Sequence, residues 1–223
     1  MELRSTAVAL VRCGDYHEPT LRETFDRMWA ACASPLNLRG ARVLLKPNLI
    51  TSRRGPLACT EGRFILAAAR WFHDQGSRVA IGDSPAFGTA QAVLENLGIG
   101  AVLREQGVEI ADFGRTRRVT LPSGLQVGLA TEALDCDLLI NLPRVKAHAQ
   151  MRVTLAVKNY FGCVGGMRKP LWHMRYGGKG GRFADHLAEL LLALPDGITL
   201  VDGITAMHRT GPTGGEPFAL GLT

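Results

Sequence analysis

Short apolar runs alternate with amphipathic stretches along most of this chain. Runs such as Arg42–Lys46, Arg78–Gly82 and Asp137–Asn141 have the length and aliphatic content of buried strands. The segments between the first two of them place apolar residues at helical spacing. A strand, helix, strand order favours parallel pairing, because the helix carries the chain back along the sheet. The sequence therefore predicts an α/β fold, with a mainly parallel sheet and helices on both faces.

Turn and capping residues divide the chain further. We expect Thr20, Thr60 and Thr89 to cap three helices. Residues 108–127 are rich in strand-forming residues and contain a Pro122–Gly124 turn, which predicts a short strand followed by a small antiparallel hairpin insertion. The other predicted elements are a first strand, a late helix and a following strand: Ala7–Val11, Phe183–Leu194 and Ile198–Asp202.

Size and composition predict one domain. A chain of 223 residues with 46% hydrophobic residues can bury a core without a metal or disulfide, so we expect a single α/β domain over residues 1–223. The last apolar run, Phe218–Leu222, follows the loop Gly211–Gly215 and precedes no helix. Because a parallel strand needs a covering helix, we expect this domain to be C-terminally truncated.

Two sequence features bear on the compartment. No apolar run approaches the length of a membrane span, and Met1–Arg4 begins no signal peptide, so we expect a cytoplasmic protein with no membrane partner. The five cysteines form no C-x-x-C pair, so neighbouring residues build neither a zinc ribbon nor an iron-sulfur site.

The positive charge of the chain is local. The formal net charge is +6, yet the stretch between Asp137 and Asp185 contains nine basic residues and no acidic one. The remainder has 17 basic and 20 acidic residues, a net charge of −3. The segment therefore predicts a site for a small anionic ligand. Its basic residues are Arg144, Lys146, Arg152, Lys158, Arg168, Lys169, Arg175, Lys179 and Arg182.

Polar residues follow several predicted strands. Ligands of open α/β sheets bind at the carboxyl ends of strands, so we expect these residues to share one rim, although such residues are also good turn formers. Glycines near this rim are expected to let backbone N–H groups approach an anion. The predicted substrate-binding residues are Lys46, Asn48, Asp83, Ser84, Asn141, Lys146, Asn159, Gly165, Gly166 and Asp202.

Histidines and lysines in the basic segment are candidates for catalysis. His148, Lys158, Lys169 and His173 are the predicted catalytic residues, because imidazoles and amines transfer protons near neutral pH. A metal ion is the other use of this set, with His148, His173 and Cys163 as ligands. The alternative is a Gly- and Lys-rich surface loop with solvated charges.

Other function classes have weaker sequence support. The nine basic residues are interleaved with Tyr160, Phe161, Trp172 and Tyr176, a composition that also suits single-stranded nucleic acid. Histidines, a cysteine and glycines suit a compact pocket better, so nucleic acid is the less favoured partner. The G-x-S-x-G and G-x-G-x-x-G motifs of hydrolases and dinucleotide-binding proteins are absent from the sequence.

Several motifs of this chain together resemble a known family. They are Lys46–Asn48, Gly82–Pro85, Asn141–His148, Val157–Gly162, Lys169 with His173, Val201–Gly203 and Gly211–Gly215. In these motifs the chain is similar to the domain of unknown function 362 family, many of whose members are labelled iron-sulfur proteins. This resemblance implies a redox-associated role. Because no C-x-x-C-x-x-C segment is present, any cluster is expected from a ferredoxin-type partner or a further region of chain.

A more distant analogy is to the nickel-pincer lactate racemases. In these enzymes a His, a Lys bound to the cofactor and a further His line a cleft between α/β halves. His148, Lys158 or Lys169, and His173 follow the same order here. The analogy implies a racemase-like enzyme that uses a metal cofactor.

Overall fold

The computed structural model describes residues 7–32, 36–51, 56–148, 151–165, 172, 174–176, 181–211 and 213–223. Its strands are β1 (Arg42–Pro47), β2 (Arg78–Asp83), β3 (Glu109–Asp112), β4 (Thr116–Thr120), β5 (Gln126–Ala130), β6 (Leu138–Leu142), β7 (Arg144–His148), β8 (Arg152–Thr154), β9 (Gly197–Thr199), β10 (Asp202–His208) and β11 (Glu216–Leu222). Its helices include α1 (Glu18–Cys32), α2 (Gly62–Asp74), α3 (Ala90–Asn96), α4 (Gly100–Glu105), α5 (Thr131–Asp135), α6 (Ala156–Asn159) and α7 (Arg182–Ala193).

A five-stranded parallel sheet forms the centre of the fold, with the strand order β3-β2-β1-β6-β9. Its side chains alternate between two apolar clusters, as the two-residue period of a strand requires. Val43 and Leu45 share one cluster with residues of α1 and α2, whereas Leu44 and Leu139 share the other with residues of α7. Helices therefore cover both faces, as predicted.

The helices are held on this sheet by large apolar side chains. The aromatic rings of Phe25 in α1 and Phe64 in α2 meet edge to face, with centroids 5.2 Å apart. Phe183 and Leu187 of α7 are buried on the opposite side of the sheet. Each such side chain contributes about 1.5–3 kcal/mol by leaving water. None of the described helices is long and apolar enough to cross a bilayer.

A second, four-stranded sheet has the order β11-β10-β7-β8. Only β7 and β10 are parallel in it, and the other two pairs are antiparallel. The chain passes from β6 through Pro143 directly into β7, so one extended stretch serves both sheets. This continuity brings the second sheet to the carboxyl-terminal edge of the first.

The predicted hairpin and most predicted strands are confirmed. Strands β4 and β5 pair antiparallel, and the short strand before them, β3, joins the edge of the parallel sheet. Thr89 caps α3 as expected, because its side chain accepts a hydrogen bond from the Ala92 N–H at 3.2 Å. Helix α4 and the β7–β8 pair were not predicted.

The first predicted strand is wrong. Ala7–Val11 is not a strand, and Val8 and Leu10 are 91% and 74% exposed. The segment instead leads to a contact with the last residue, where the Val11 N–H donates to the Thr223 carbonyl at 3.0 Å. The prediction took these apolar residues to be buried in a strand, whereas Val8 and Leu10 face solvent.

Two predicted caps and one predicted boundary are also wrong. Helix α1 begins at Glu18, so Thr20 lies inside it, and Thr60 makes no cap for α2. The strand predicted for Ile198–Asp202 divides at Leu200 into β9 and β10. The last strand, β11, pairs antiparallel with β10. It therefore does not require the covering helix that a parallel strand requires.

Candidate functional site

Strand β7 buries its charged face. Arg144 and Lys146 are 2% and 0% exposed, and their side chains point to the same side because they are two residues apart. Val145 and Ala147, on the other side, are only half-buried. This reverses the usual arrangement of a strand, in which apolar residues point inward. Two basic side chains are thus placed inside the molecule.

A buried ion pair lies at the carboxyl end of β1 and β2. The Lys46 Nζ donates to the Asp83 Oδ1 at 2.7 Å, and the two side chains are 0% and 3% exposed. The Asp83 carboxylate also accepts the backbone N–H groups of Leu49 and Ser84, at 2.8 and 2.9 Å. These bonds compensate the loss of water around the carboxylate.

Three asparagines connect this pair to its neighbours. The Asn159 amide donates to the Lys46 carbonyl at 3.1 Å and to the Asn141 Oδ1 at 2.8 Å. Its own oxygen accepts from the Asn48 amide at 2.9 Å. Lys46 and Asn141 are register partners in β1 and β6, which places their side chains side by side. Asn159 is the last residue of helix α6, and its amide contacts these strand ends.

Lys146 is buried among neutral acceptors. Its Nζ donates to the Ala58 carbonyl at 2.7 Å and to the Asn48 Oδ1. Burial lowers the pKa of Lys146 to about 7, with the nearby Cys59 side chain opposing the shift and the Lys158 and Arg144 cations adding to it. Among the described residues, no carboxylate forms an ion pair with this amine. We call Lys46, Asn48, Asp83, Asn141, Lys146 and Asn159 the lysine–asparagine network.

A second buried cluster surrounds Arg144. Its guanidinium donates to the carbonyls of Thr205 and Cys59 at 2.8 and 2.9 Å, and lies 3.8 Å from the Asp202 carboxylate. The Tyr16 hydroxyl donates to the other Asp202 oxygen at 2.7 Å. Burial raises the pKa of Asp202, and burial likewise raises the pKa of Tyr16. This cluster fixes the second sheet to residues near α1.

The segment from Ala58 to Glu61 separates the two clusters and bonds to both. The Lys146 Nζ donates to the carbonyl of Ala58, the first residue of the segment. The Asp202 carboxylate accepts the N–H of Glu61, its last residue, at 3.0 Å. The Thr60 hydroxyl donates to the Leu142 carbonyl at 2.6 Å and accepts the Asn48 N–H at 2.8 Å. The position of this segment therefore depends on side chains from β7 and β10 and on backbone groups of Asn48 and Leu142.

The structure brings together six of the predicted substrate-binding residues, the members of the lysine–asparagine network. Ser84 adjoins them and contributes its backbone N–H to Asp83. Asp202 belongs instead to the Arg144 cluster, because β10 starts in the second sheet. Gly165 packs against the hairpin: its N–H donates to the Gly128 carbonyl at 3.0 Å, and an added Cβ would lie 2.2 Å from the Thr116 Cγ2. The described contacts of Gly165 are thus packing contacts with the hairpin.

Two of the four predicted catalytic residues, His148 and Lys158, lie in the described part of the chain. His148 is half-buried and its Nδ1 accepts the Met151 N–H at 3.3 Å, beside the turn between β7 and β8. The Lys158 Nζ lies 4.7 Å from the centre of the Phe161 ring, a cation–π contact. Lys169, His173 and Gly166 lie outside the described residues.

The predicted metal ligands share no site in the described residues. Cys163 is fully buried in the apolar cluster that contains Leu44, Tyr160 and Val164. In the ranges that the structure describes, no group of three or more His, Cys, Asp or Glu side chains could hold a metal ion. His173, the remaining predicted ligand, is outside those ranges.

The aromatic residues of the basic segment are largely internal. Tyr160, Phe161 and Trp172 are 7%, 4% and 6% exposed. The rings of Phe161 and Trp172 pack against each other at an angle of 43°, with centroids 5.6 Å apart. Rings packed in this way cannot stack on bases, so the single-stranded nucleic acid alternative loses three of its four stacking groups.

Sequence reasoning missed Tyr16 and assigned Thr60 to the wrong role. Thr60 has the residue type and position of a helix cap, and nothing local reveals that its hydroxyl joins two strand ends instead. Tyr16 binds Asp202 across 186 residues of sequence, a separation that no local pattern indicates. Gly162 is not among the predicted substrate-binding residues. This glycine lies against the lysine–asparagine network, since an added Cβ would lie 2.0 Å from the Asp83 Oδ1.

Comparison with solved structures supports the fold. A crystal structure of a Thermotoga maritima protein, determined by the Northeast Structural Genomics Consortium, matches 95% of this chain with a TM-score of 0.52. The sequence identity is 11%, and the match covers 56% of that protein. At this identity the likeness concerns the fold alone.

Comparison of sequences supports a family. The chain is 40% identical over 185 residues to the Thylakoid-associated protein sll1697 of Synechocystis sp. (strain ATCC 27184 / PCC 6803 / Kazusa). This match covers 82% of the chain and 58% of the relative, so the chain spans little more than half of that relative's length. The family model described as a domain of unknown function, DUF362, matches residues 43–223. The chain therefore belongs to the DUF362 family.

Proposed function

We propose that this chain is the α/β part of an enzyme that binds a small anionic substrate at the carboxyl-terminal edge of the five-stranded sheet. The lysine–asparagine network is the proposed binding site, with Lys146 as its reactive cation. A buried lysine with a strongly shifted pKa is a common mark of a functional site. The proposal also agrees with the rule that open α/β sheets bind ligands at this edge.

The proposal rests on the unequal pairing of the buried basic side chains with carboxylates. Lys46 has Asp83 as its partner at 2.7 Å, and Arg144 lies near Asp202. Lys146, which is equally buried, is bonded to two neutral oxygens. A buried ammonium is costly unless an anion compensates it. A bound carboxylate or phosphate would supply that missing charge.

Asn48 marks the side from which a ligand would enter. It is the half-buried member of the network, whereas Lys46, Asn141, Lys146 and Asn159 are buried. Its Oδ1 is also an acceptor for the Lys146 Nζ. An anionic oxygen that replaced the Asn48 oxygen would keep this hydrogen bond and add charge to it, which strengthens the bond.

A redox-associated role beside an iron-sulfur partner is the family-based alternative. It requires a cluster from a ferredoxin-type partner or from a further region of chain, since the described residues group no set of cluster ligands. For the compartment we propose the cytoplasm. All five cysteines are free thiols, which is typical of proteins in a reducing compartment. The thylakoid association in the name of the Synechocystis relative is a statement about that protein.

Anion titration tests the proposal. Wild-type protein would be titrated with inorganic phosphate and with propionate by calorimetry, beside Lys146→Met and a control, Arg118→Met, which removes an exposed cation. We expect at least about tenfold weaker binding to Lys146→Met and unchanged binding to the control. Equal binding by all three proteins, or by none, contradicts the proposal. A shallow salt dependence would separate a compact site from binding along many phosphates.

A further inference from the structure

Two of the three lysines that the structure describes, Lys46 and Lys146, are deeply buried, and the whole chain contains five lysines. The 26 basic residues comprise 21 arginines and five lysines: Lys46, Lys146, Lys158, Lys169 and Lys179. Lys46 lies at the end of β1, and the other four lie in the acid-free segment. Arginine stays protonated in proteins, whereas a buried lysine can lose its proton and react as an amine. The chain thus places lysine where an amine has a chemical use.

The surroundings of the Lys146 Nζ suit a nucleophilic amine. The side chain is fully buried, and its two acceptors are the Ala58 carbonyl and the Asn48 amide oxygen. The nearby carboxylate of Asp83 is engaged by Lys46 and by two backbone N–H groups. Burial and the Lys158 and Arg144 cations lower the pKa of Lys146 to about 7, although the Cys59 side chain and Asp83 oppose this shift. A substantial fraction of this amine is therefore neutral at physiological pH.

The contact between the Lys146 Nζ and Asn48 indicates how the carbonyl group of a substrate would approach this amine. The Lys146 Nζ already lies against an sp² oxygen, the Asn48 Oδ1. A carbonyl compound that displaced this side chain would present its own oxygen and carbon to the Nζ. The Lys46 Nζ makes two hydrogen bonds, to Asp83 and to the Pro47 carbonyl, and an ammonium group has three donors. Its remaining donor is available for a carboxylate.

We propose that Lys146 forms an imine with a small 2-oxo acid, a substrate class that deepens the proposed function and rests on it. The neutral Nζ attacks the carbonyl carbon, and the carbonyl oxygen takes up a proton to give a carbinolamine. Loss of water then gives the imine, so amine and carbonyl yield imine and water with no oxidant or reductant. Lys146 is the catalytic residue of this step, and Lys46 positions the carboxylate.

Trapping with borohydride tests this imine. Wild-type protein would be incubated with pyruvate and then with borohydride, which reduces an imine to a stable secondary amine. Intact-mass spectrometry and peptide mapping would locate the adduct. Lactate, which has a hydroxyl in place of the carbonyl, is the matched ligand control. We expect one reduced pyruvyl adduct on Lys146 with pyruvate and none with lactate.

Three variants complete the test. Lys146→Arg and Lys146→Met remove the amine by a charged and a neutral replacement, so the test survives if one of them fails to fold. Arg118→Lys adds an exposed ordinary amine as a reactivity control. We expect loss of the adduct in both Lys146 variants and at least about tenfold less labelling at position 118 than at Lys146.

The outcomes separate the imine from the underlying binding site. Pyruvate binding measured by calorimetry without an adduct on Lys146 overturns the imine and leaves anion binding in place. Absence of both binding and adduct overturns the two proposals together. Labelling of Lys146 no greater than that of position 118 in Arg118→Lys also overturns the imine.

Discussion

At Gly162 the backbone lies close against the buried ion pair of Lys46 and Asp83. A Cβ added there would lie 2.0 Å from the Asp83 Oδ1 and 2.4 Å from the Lys46 Nζ. Neither group can retreat easily, because the ion pair is buried and the Asp83 carboxylate holds two backbone N–H groups. The absence of a side chain at position 162 is therefore a requirement of the ion pair.

We expect Gly162→Ala to lower the free energy of unfolding by about 1–3 kcal/mol, the usual cost of overpacking a filled interior. Urea denaturation followed by circular dichroism measures this change. Gly14→Ala is the matched control, because an added Cβ at that position meets nothing within 4 Å. A loss no larger in Gly162→Ala than in the control would show that the ion pair gives way without cost.

Individual site residues were predictable by type more readily than by environment. Lys46, Asn48, Asp83 and Asn141 were recognised because each lies at or just after the carboxyl end of a strand. Lys146 was recognised as a cation but not as a buried one, because an alternation of basic and apolar residues is typical of a strand with its charges in water. Its burial depends on contacts with Ala58 and Asn48, which lie far away in sequence.

At the scale of elements, Thr60 joins the ends of two neighbouring strands. Its hydroxyl accepts the Asn48 N–H after β1 and donates to the Leu142 carbonyl at the end of β6. The side chain is fully buried, so no water could replace it. Removing the hydroxyl leaves a backbone donor and acceptor without this partner in the interior.

We expect Thr60→Val to lower the free energy of unfolding by about 2 kcal/mol, because valine keeps the shape and removes the hydrogen bonds. Thr60→Ser, which keeps the hydroxyl, should recover most of this loss. Thr89→Ala removes a true helix cap and should cost about 1 kcal/mol. Urea denaturation of the three variants gives the comparison. A Thr60→Ser loss as large as that of Thr60→Val would assign the effect to packing.

Elements were predicted well where the pattern was long and regular. The parallel strands, the hairpin and α7 follow from periodic apolar residues and turn residues. The strand predicted for Ala7–Val11 is wrong because an apolar run can also lie exposed at the surface. Val11 bonds to Thr223, and the segment does not join the five-stranded sheet. Strand β7 was missed because Pro143 looks like the end of β6, whereas the chain continues extended past it.

At the scale of the whole molecule, one buried amine links stability to pH. The folded state lowers the pKa of Lys146 from 10.5 to about 7 through burial. Between these values the unfolded chain holds a proton that the folded chain does not. Because stability rises with pH wherever the unfolded state binds more protons, Lys146 makes the protein more stable as the pH rises from about 7 towards 10.

We therefore expect the difference in unfolding free energy between wild type and Lys146→Met to shift in favour of wild type as the pH rises. The slope for one proton is at most about 1.4 kcal/mol per pH unit. Urea denaturation at about pH 6, 7.5 and 9 measures it, and the variant serves as the reference for all other titrating groups. A difference independent of pH would mean that Lys146 stays protonated in the folded protein.

The passage of the chain through Pro143 has a consequence for the distance between the two buried amines. Lys46 and Asp83 belong to the five-stranded sheet, whereas Lys146 belongs to the four-stranded one. The two sheets are joined directly at Pro143, so the distance between the two amines depends on the angle at which the sheets meet. In the proposed site this angle limits the size of the ligand that can contact both amines.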